Sequence, residues 1–259
     1  MHGRNNEGTI LFPYCKSFVI RLWFLIRRFL RPVKRRLYEL ELFIPIGLRS
    51  AGKNALTELT FFLLHRKGII DARRFRKLSD LKLHLGCGPN IKEGWVNIDL
   101  KKGADLTLDM REPLPFRNDS CSIIYSEHFV EHIGYPEPVT SLVKECFRVL
   151  RPGGVFSVVV PDIELVLRSY VEGGTEEYYA AQKKWNPEWC TLQMEHINYN
   201  FRQNGEHRFS YDFETLENLL RRCGFVGVKR RRFDAELDSK EREVGSMYVE
   251  CAKPENVGS

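Results

Sequence analysis

Residues 81–100 read LKLHLGCGPNIKEGWVNIDL. Leu81–Leu85 is a short apolar run that stops at Gly86-Cys87-Gly88, which predicts a strand entering a tight loop. Trp95–Leu100 is a second short strand ending at Asp99. The glycines let the backbone approach a ligand closely, because neither carries a Cβ. The spacing departs from a dinucleotide-binding fingerprint: Ile91 stands where a third glycine belongs, and Asp99 follows Gly88 by only 11 residues instead of about 20. That interval is too short for a crossover helix, so Ile91–Gly94 is expected to be a loop or a single turn.

The same alternation continues on the C-terminal side. Ala104–Leu108 reads as a third strand followed by Asp109, and Cys121–Ser126 as a fourth followed by Glu127. Pro138–Leu150 carries helical periodicity through Val139, Leu142, Val143, Cys146 and Val149, and ends at Pro152-Gly153-Gly154. Val155–Val160 is a continuous apolar run, as expected of a strand buried on both faces. Phe213–Cys223 is a second helix closed by Gly224, and Phe225–Arg231 and Ser246–Cys251 are two strands joined by a charged loop. Strands alternating with helices imply an α/β domain with a mostly parallel sheet. Ligands of such sheets sit outside the carboxyl ends of the strands. Gly86, Asp99, Asp109 and Glu127 all fall just past expected strand ends and are candidates to line one crevice.

In order, LHLGCGP, VNIDL, LDM followed by LPF, SIIYSEHFVEHI and ECFRVLRPGGVFSVVVPD succeed one another at close spacing. This succession resembles the class I S-adenosylmethionine-dependent methyltransferases of the type 11 group, over Leu81 to Lys253. The resemblance implies a Rossmann-like α/β fold with a seven-stranded, mostly parallel sheet whose last strand is antiparallel. It also implies S-adenosyl-L-methionine as cofactor. Gly86, Cys87 and Gly88 would cradle the methionine part. Asp99, with Leu100 beside it, would accept from the ribose hydroxyls, as a two-oxygen acceptor can. Asp109 would accept from the adenine amino group, with the Met110 N–H near the ring, and Glu127 would lie under the methionine. The shortened segment after Gly88 departs from the family pattern.

An insert at 161–211, between the fifth strand and the last helix, falls where this family builds its acceptor pocket. It holds Trp185, Trp189, His196, Tyr199, Asn200, Phe201, His207, Arg208 and Tyr211. Aromatic rings beside hydrogen-bonding groups suit a sugar or another polar ring. His128, Glu131 and His132 stand at i, i+3 and i+4, one face if a helix starts there. His132 and His207 are expected to face the transferred methyl group, at least one as base or orienting residue, with His128 as a further candidate. With Glu131 and the distant His207, this segment resembles the Glu-x-x-Glu-His metal site of small-RNA 2′-O-methyltransferases, but His128 stands in place of the first glutamate, so a metal-free role is the favoured reading and no metal is expected. The expected reaction moves a methyl group to a small polar acceptor, such as a hydroxyl of a sugar or glycan precursor. The alternative is a non-catalytic scaffold of the same fold that binds the cofactor or a membrane. A nicotinamide oxidoreductase is disfavoured by the missing third glycine.

Residues 1–80 form a basic helical extension before the domain at 81–253, and 254–259 form a tail. The extension carries 17 basic against 6 acidic residues, +11, while the rest of the chain carries −5. Ser17–Leu30 reads SFVIRLWFLIRRFL, apolar but broken by Arg21, Arg27 and Arg28, so it is a poor membrane span and a poor signal peptide. Residues 16–36 suit either an amphipathic helix on an anionic membrane surface or one packed on protein. No nucleic-acid recognition motif is visible. A second helical run covers Asn54–His65. The seven cysteines are scattered and never spaced C-x-x-C, which favours a reducing, cytoplasmic setting, with a membrane periphery open to the N-terminal segment. The full chain is expected to sediment with anionic vesicles at low salt and to be released at high salt, because the attraction is screened. Chains left in the supernatant at low salt would show that these residues only pack on protein.

Overall fold

The computed structural model describes residues 45–173 and 176–255. The expected helix at 16–36 and the tail from residue 256 lie outside the described residues. The described residues divide into two units between Lys67 and Gly68. In the first, helix α1 (Ile46–Ala72) begins and runs on across the boundary for 27 residues, well beyond the expected 54–65. Among the described residues no helix is long and apolar enough to cross a membrane.

The second unit is built on six strands: β1 (Leu81–Leu85), β2 (Val96–Ile98), β3 (Cys121–Glu127), β4 (Leu150–Pro161), β5 (Val226–Arg230) and β6 (Ser246–Ala252). Their order is β2-β1-β3-β4-β6-β5, with β1 to β4 parallel and β6 antiparallel to β4 and β5. The mixed, mostly parallel α/β sheet matches the expected class, with six strands in place of seven. The missing one is Ala104–Leu108, which makes only an isolated bridge, Leu106 to Ile98. The reason is local. Asp105 turns its carboxylate onto the Asn97 backbone N–H (2.9 Å) and side-chain amide (2.9 Å), taking a donor that a neighbouring strand carbonyl would otherwise bond.

Alternation on the strands sorts the two faces. Leu81, Leu83, Leu85, Ile124, Phe156, Val158, Val160, Val249 and Cys251 point into one large core, which helices α2 (Glu137–Val149) and α6 (Phe213–Arg222) cover with Val139, Leu142, Val143, Leu216, Leu219 and Leu220. Ala72, at the end of α1, and the neighbouring Ile69 and Phe75 belong to this core as well. The other face carries His84, Tyr125, Ser157 and Tyr248 and is covered at its upper half by a folded-back loop, not a helix. Asp238 pins that loop: it is buried, pairs in a fork with Arg231 (2.6 Å to each of two nitrogens), and accepts from the Tyr125 hydroxyl (3.1 Å) and the Asp234 N–H (2.7 Å). A buried carboxylate with its hydrogen-bonding capacity filled in this way specifies one loop position.

Register shifts interrupt three of the pairings, at Leu81/Lys82, Cys121/Ile123 and Val226/Lys229. β4 starts earlier than the expected Val155, and its Arg151–Gly154 stretch bulges so that Cys121 pairs with Leu150 but Ile123 with Val155. Gly153 makes the bulge with a φ of +73°, and its N–H reaches the Lys253 carbonyl at 3.0 Å. Between β4 and α6 lie α3 (Ile163–Glu172), capped by Asp162 on the Leu165 N–H (3.1 Å), then α4 (Glu176–Gln182) and α5 (Gln193–Arg202).

His84 reports on the loop-covered face. It is buried against Tyr125, with Nδ1 3.3 Å from the Asn97 side-chain oxygen. Burial, helped by the Lys92 charge, pushes its pKa down to about 4. The unfolded chain therefore binds a proton that the folded chain refuses between pH ~6.5 and ~4, and stability falls as pH drops through that window, by up to about 1.4 kcal/mol per pH unit. His84→Gln should remove roughly one proton's worth of this slope in urea unfolding between pH 7 and pH 5. An unchanged slope would mean that the ring is protonated in the fold.

Candidate functional site

In a parallel sheet of order β2-β1-β3 the chain leaves β1 to one side and β3 to the other, opening a crevice beyond their carboxyl ends. The sequence that closes β1 is shaped for that place. Gly86 and Cys87 donate their N–H groups to the Ile98 carbonyl (2.9 and 3.2 Å), which ties the loop to β2. Gly88 then donates to Asp99 Oδ2 at 2.9 Å, and Lys101 donates to Asp99 Oδ1 at 2.8 Å. Asp99 is thus held by two backbone groups while each oxygen keeps a lone pair for a ligand hydroxyl. Leu100 beside it is half-buried.

The two glycines differ in what they leave open. Both have positive φ, +65° at Gly86 and +53° at Gly88. A Cβ on Gly86 would stand 2.3–2.6 Å from Phe129 side-chain carbons, whereas one on Gly88 would meet no protein atom within 4 Å. Gly86 is needed for packing, and Gly88 borders free space where a ligand can lie against backbone. The cradle therefore fits a cofactor at Gly88 and Asp99.

The remaining expected cofactor contacts are arranged differently. Asp109 is buried and forked by Arg111, whose Nε lies 3.0 and 3.1 Å from its two oxygens; Met110 is buried next to it. Glu127 turns its carboxylate onto the Ser239 N–H (3.0 Å) and hydroxyl (2.5 Å) in the folded-back loop. The same loop reaches the segment after Gly88: Lys92 Nζ donates to the Leu237 carbonyl (2.5 Å) and Asn90 Nδ2 to Ser239 Oγ (3.2 Å).

Beyond the end of β3 the chain does not start an α-helix. His128 takes a φ of +50°, and a short 3₁₀ turn follows over Val130–His132. This still gathers the histidines. Glu131 Oε1 lies 3.6 Å from His128 Nδ1 and 4.0 Å from His132 Nε2, and the His132 and His207 rings meet edge to face at 5.0 Å. Each ring has one nitrogen committed. His132 Nδ1 faces the Glu206 carbonyl (3.2 Å) and His207 Nδ1 the Asn200 carbonyl (2.6 Å), so both donate there. The Ser246 hydroxyl gives its proton to the Arg242 carbonyl (2.6 Å), so His128 Nε2 donates to Ser246 Oγ (2.8 Å). Burial lowers the pKa of all three histidines, leaving neutral imidazoles. Burial also raises Glu131, to about 8.

An open cavity lies beside this cluster. His128, His207 and Pro161 form its floor side, and Trp185, Asn186, Tyr199, Asn200 and Gln203 come from the insert. Arg242, Gly245 and Ser246 enter from the loop before β6, with the Arg242 guanidinium over the Trp185 ring at 5.6 Å. Not every candidate of the insert lines it. His196 is buried and bonded to Tyr178 (3.0 Å) and Asn186 (2.9 Å), which makes it a tie within the helices, and Trp189 is exposed with its ring against Tyr199. Arg242 and Ser246 escaped sequence reading, because nothing local in a charged loop says that it folds back over the ends of β3 and β4.

Residues 83–158 match the family described as methyltransferase domain. No curated protein sequence matches the chain. Among solved structures it is similar to Haemonchus contortus phosphoethanolamine N-methyltransferase 2 in complex with phosphomonomethylethanolamine and S-adenosylhomocysteine (15% identity, 73% of this chain and 53% of that one, TM-score 0.42). It is also similar to a SAM-dependent methyltransferase from Archaeoglobus fulgidus (15% identity, 77% and 99% covered, TM-score 0.42). A third is a SAM-dependent methyltransferase from Methanosarcina mazei (15% identity, 71% and 97% covered, TM-score 0.41). The chain spans about half the length of the Haemonchus enzyme.

The glycine pair separates packing from binding. Gly86→Ala should lower stability by about 2–4 kcal/mol, from the clash with Phe129 and the left-handed backbone. Gly88→Ala should cost only roughly 1–2 kcal/mol yet weaken S-adenosylhomocysteine binding at least tenfold. Thermal melts with and without the ligand measure both; wild-type affinity in Gly88→Ala would remove Gly88 from the site.

Proposed function

We propose that this chain, whose residues 83–158 match the methyltransferase-domain family, is a class I S-adenosylmethionine-dependent methyltransferase that transfers the sulfonium methyl of that cofactor to a small polar acceptor. The observation that carries the reading is the juxtaposition of two unlike sites along one edge of the sheet. Gly88 and Asp99 make a backbone-lined cradle past β1 and β2, and the amide- and aromatic-lined cavity opens past β3 and β4. S-adenosylmethionine supplies an electrophilic methyl group when bound. The chain's own residues then hold the ribose at Asp99 and the methionine part against Gly86–Gly88.

Methyl transfer is an in-line displacement, so much of the rate enhancement comes from holding the acceptor in position. Asn186, Asn200 and Gln203 offer both donors and acceptors to a polyhydroxylated or otherwise polar molecule, and Trp185 and Tyr199 offer ring faces. A sugar or glycan-precursor hydroxyl is the acceptor class that this lining suits best. A hydroxyl must lose its proton on methylation, and the histidines that line the cavity, His128 and His207, with His132 against the His207 ring, are the groups placed to take it. The basic and apolar residues of 16–36 suit an anionic membrane surface as a further partner.

Asp99→Ala should weaken S-adenosylmethionine binding by about 1.5–3 kcal/mol, the scale of hydrogen bonds to a charged acceptor. Calorimetry on Asp99→Ala and Asp99→Asn checks this. Unchanged affinity in both would overturn the cofactor assignment. Tight cofactor binding with no methyl uptake by any sugar, glycan precursor or small phenol would favour the scaffold.

A further inference from the structure

Glu131 is 1% exposed, and neither of its carboxylate oxygens has a hydrogen-bond partner. What faces it is unusual. His128 Nδ1 and His132 Nε2 are the nitrogens left without a proton, because Nε2 of the first donates to Ser246 and Nδ1 of the second donates to the Glu206 carbonyl. His207 is in the same condition, with Nδ1 spent on the Asn200 carbonyl. Lone pairs on imidazole therefore point at lone pairs on a carboxylate, at 3.6 and 4.0 Å. A catalytic dyad would be wired the other way, with a ring N–H donating to the carboxylate. A proton on Glu131 could satisfy one of these nitrogens; a cation satisfies all of them.

We propose that Glu131, His132 and His207, with His128 alongside, bind a divalent transition-metal ion at the wall of the acceptor cavity. One ligand atom from each of Glu131, His132 and His207 lies within 4.8 Å of the others. Donors bonded at about 2.0–2.2 Å to one tetrahedral ion stand roughly 3.3–3.6 Å apart, so the widest pair would close by up to about 1.5 Å on filling. The backbone carbonyls of Glu206 and Asn200 already hold the two rings in the tautomer that ligation requires, the usual outer-shell arrangement of metal-bound histidine. Imidazole-rich donors with one carboxylate select ions of the Zn²⁺, Co²⁺ or Fe²⁺ kind over Mg²⁺. His128 and His207 also line the cavity, which leaves a coordination position open toward it. With the ion bound these ring nitrogens would be ligands and not bases, and the ion would instead lower the pKa of an acceptor hydroxyl held on it; that role rests on the methyl-transfer reading, and the binding of the ion does not.

The test is titration of the full chain, stripped of metal with a chelator and dialysed, with Co²⁺ followed by visible d–d absorption and with Zn²⁺ and Mg²⁺ followed by calorimetry. One equivalent of Co²⁺ and of Zn²⁺ should bind, with Mg²⁺ at least a hundredfold weaker. Glu131→Gln and His207→Ala should each weaken Co²⁺ binding at least tenfold, and His84→Gln should not. If Glu131→Gln fails to fold by circular dichroism, His207→Ala decides. Binding below one equivalent, or unchanged in both cluster variants, would overturn the site and leave a protonated Glu131 as the explanation. S-adenosylhomocysteine affinity measured on the same samples separates the two readings: its loss removes the proposed transfer, and loss of Co²⁺ alone removes the metal.

Discussion

Strand polarity is the constraint from which the rest of this molecule follows. Because β1 to β4 all run in one direction, their carboxyl ends open on one edge, and because β1 sits between β2 and β3, a gap is left there. The loop after β1 fills only part of it. Its N–H groups are turned onto the Ile98 carbonyl and the Asp99 carboxylate, so β2 shapes the loop and the loop fixes Asp99. Removing either strand would dissolve the site, whereas the helices of the insert could vary without touching it.

The unequal faces of the sheet explain how the site is closed. One face has a helix-covered apolar core, and the other has buried polar groups, His84, Tyr125, Ser157 and Asp238. Such groups must be hydrogen-bonded when removed from water; the segment between β5 and β6 provides the partners of Tyr125, Ser157 and Asp238, and Asn97 of β2 that of His84. With Asp238 locked to Arg231 and Tyr125, the loop is placed so that Ser239 meets Glu127 and Arg242 meets Trp185. A charged, irregular segment thus becomes one wall of the cavity through its own buried ion pair.

The histidine cluster follows from a short break in regular structure. A helix starting at His128 would have directed His128, Glu131 and His132 outward along one face. The left-handed backbone at His128 and the 3₁₀ turn instead sink Glu131 to 1% exposure while the flanking rings stay half-buried, that of His128 bordering the cavity. The desolvation of that carboxyl is what makes the surroundings demanding, since each neighbouring ring has spent its one N–H on a different acceptor.

Much of the fold could be read directly because it depends on local pattern. The apolar runs at Leu81–Leu85 and Val155–Val160, the helical periodicity in Pro138–Leu150 and the helix closed by Gly224 all reappear with shifts of a few residues. So do the glycines after β1 and the carboxylate after β2, because strand ends and turns are written in residue type. What depended on distant partners was not legible. Ala104–Leu108 has a strand's composition but loses its ladder to the Asp105 side chain, and the helix at 54–65 extends to Ile46–Ala72. Asp109 and Glu127 have the right positions, yet Arg111 and Ser239 decide where their carboxylates point. Arg242 and Ser246 reach the cavity only because a buried aspartate folds their loop back. The sequence by itself determined which residues end the strands; only the tertiary structure decided which of them face each other, because burial and side-chain hydrogen bonds act between segments far apart in the chain.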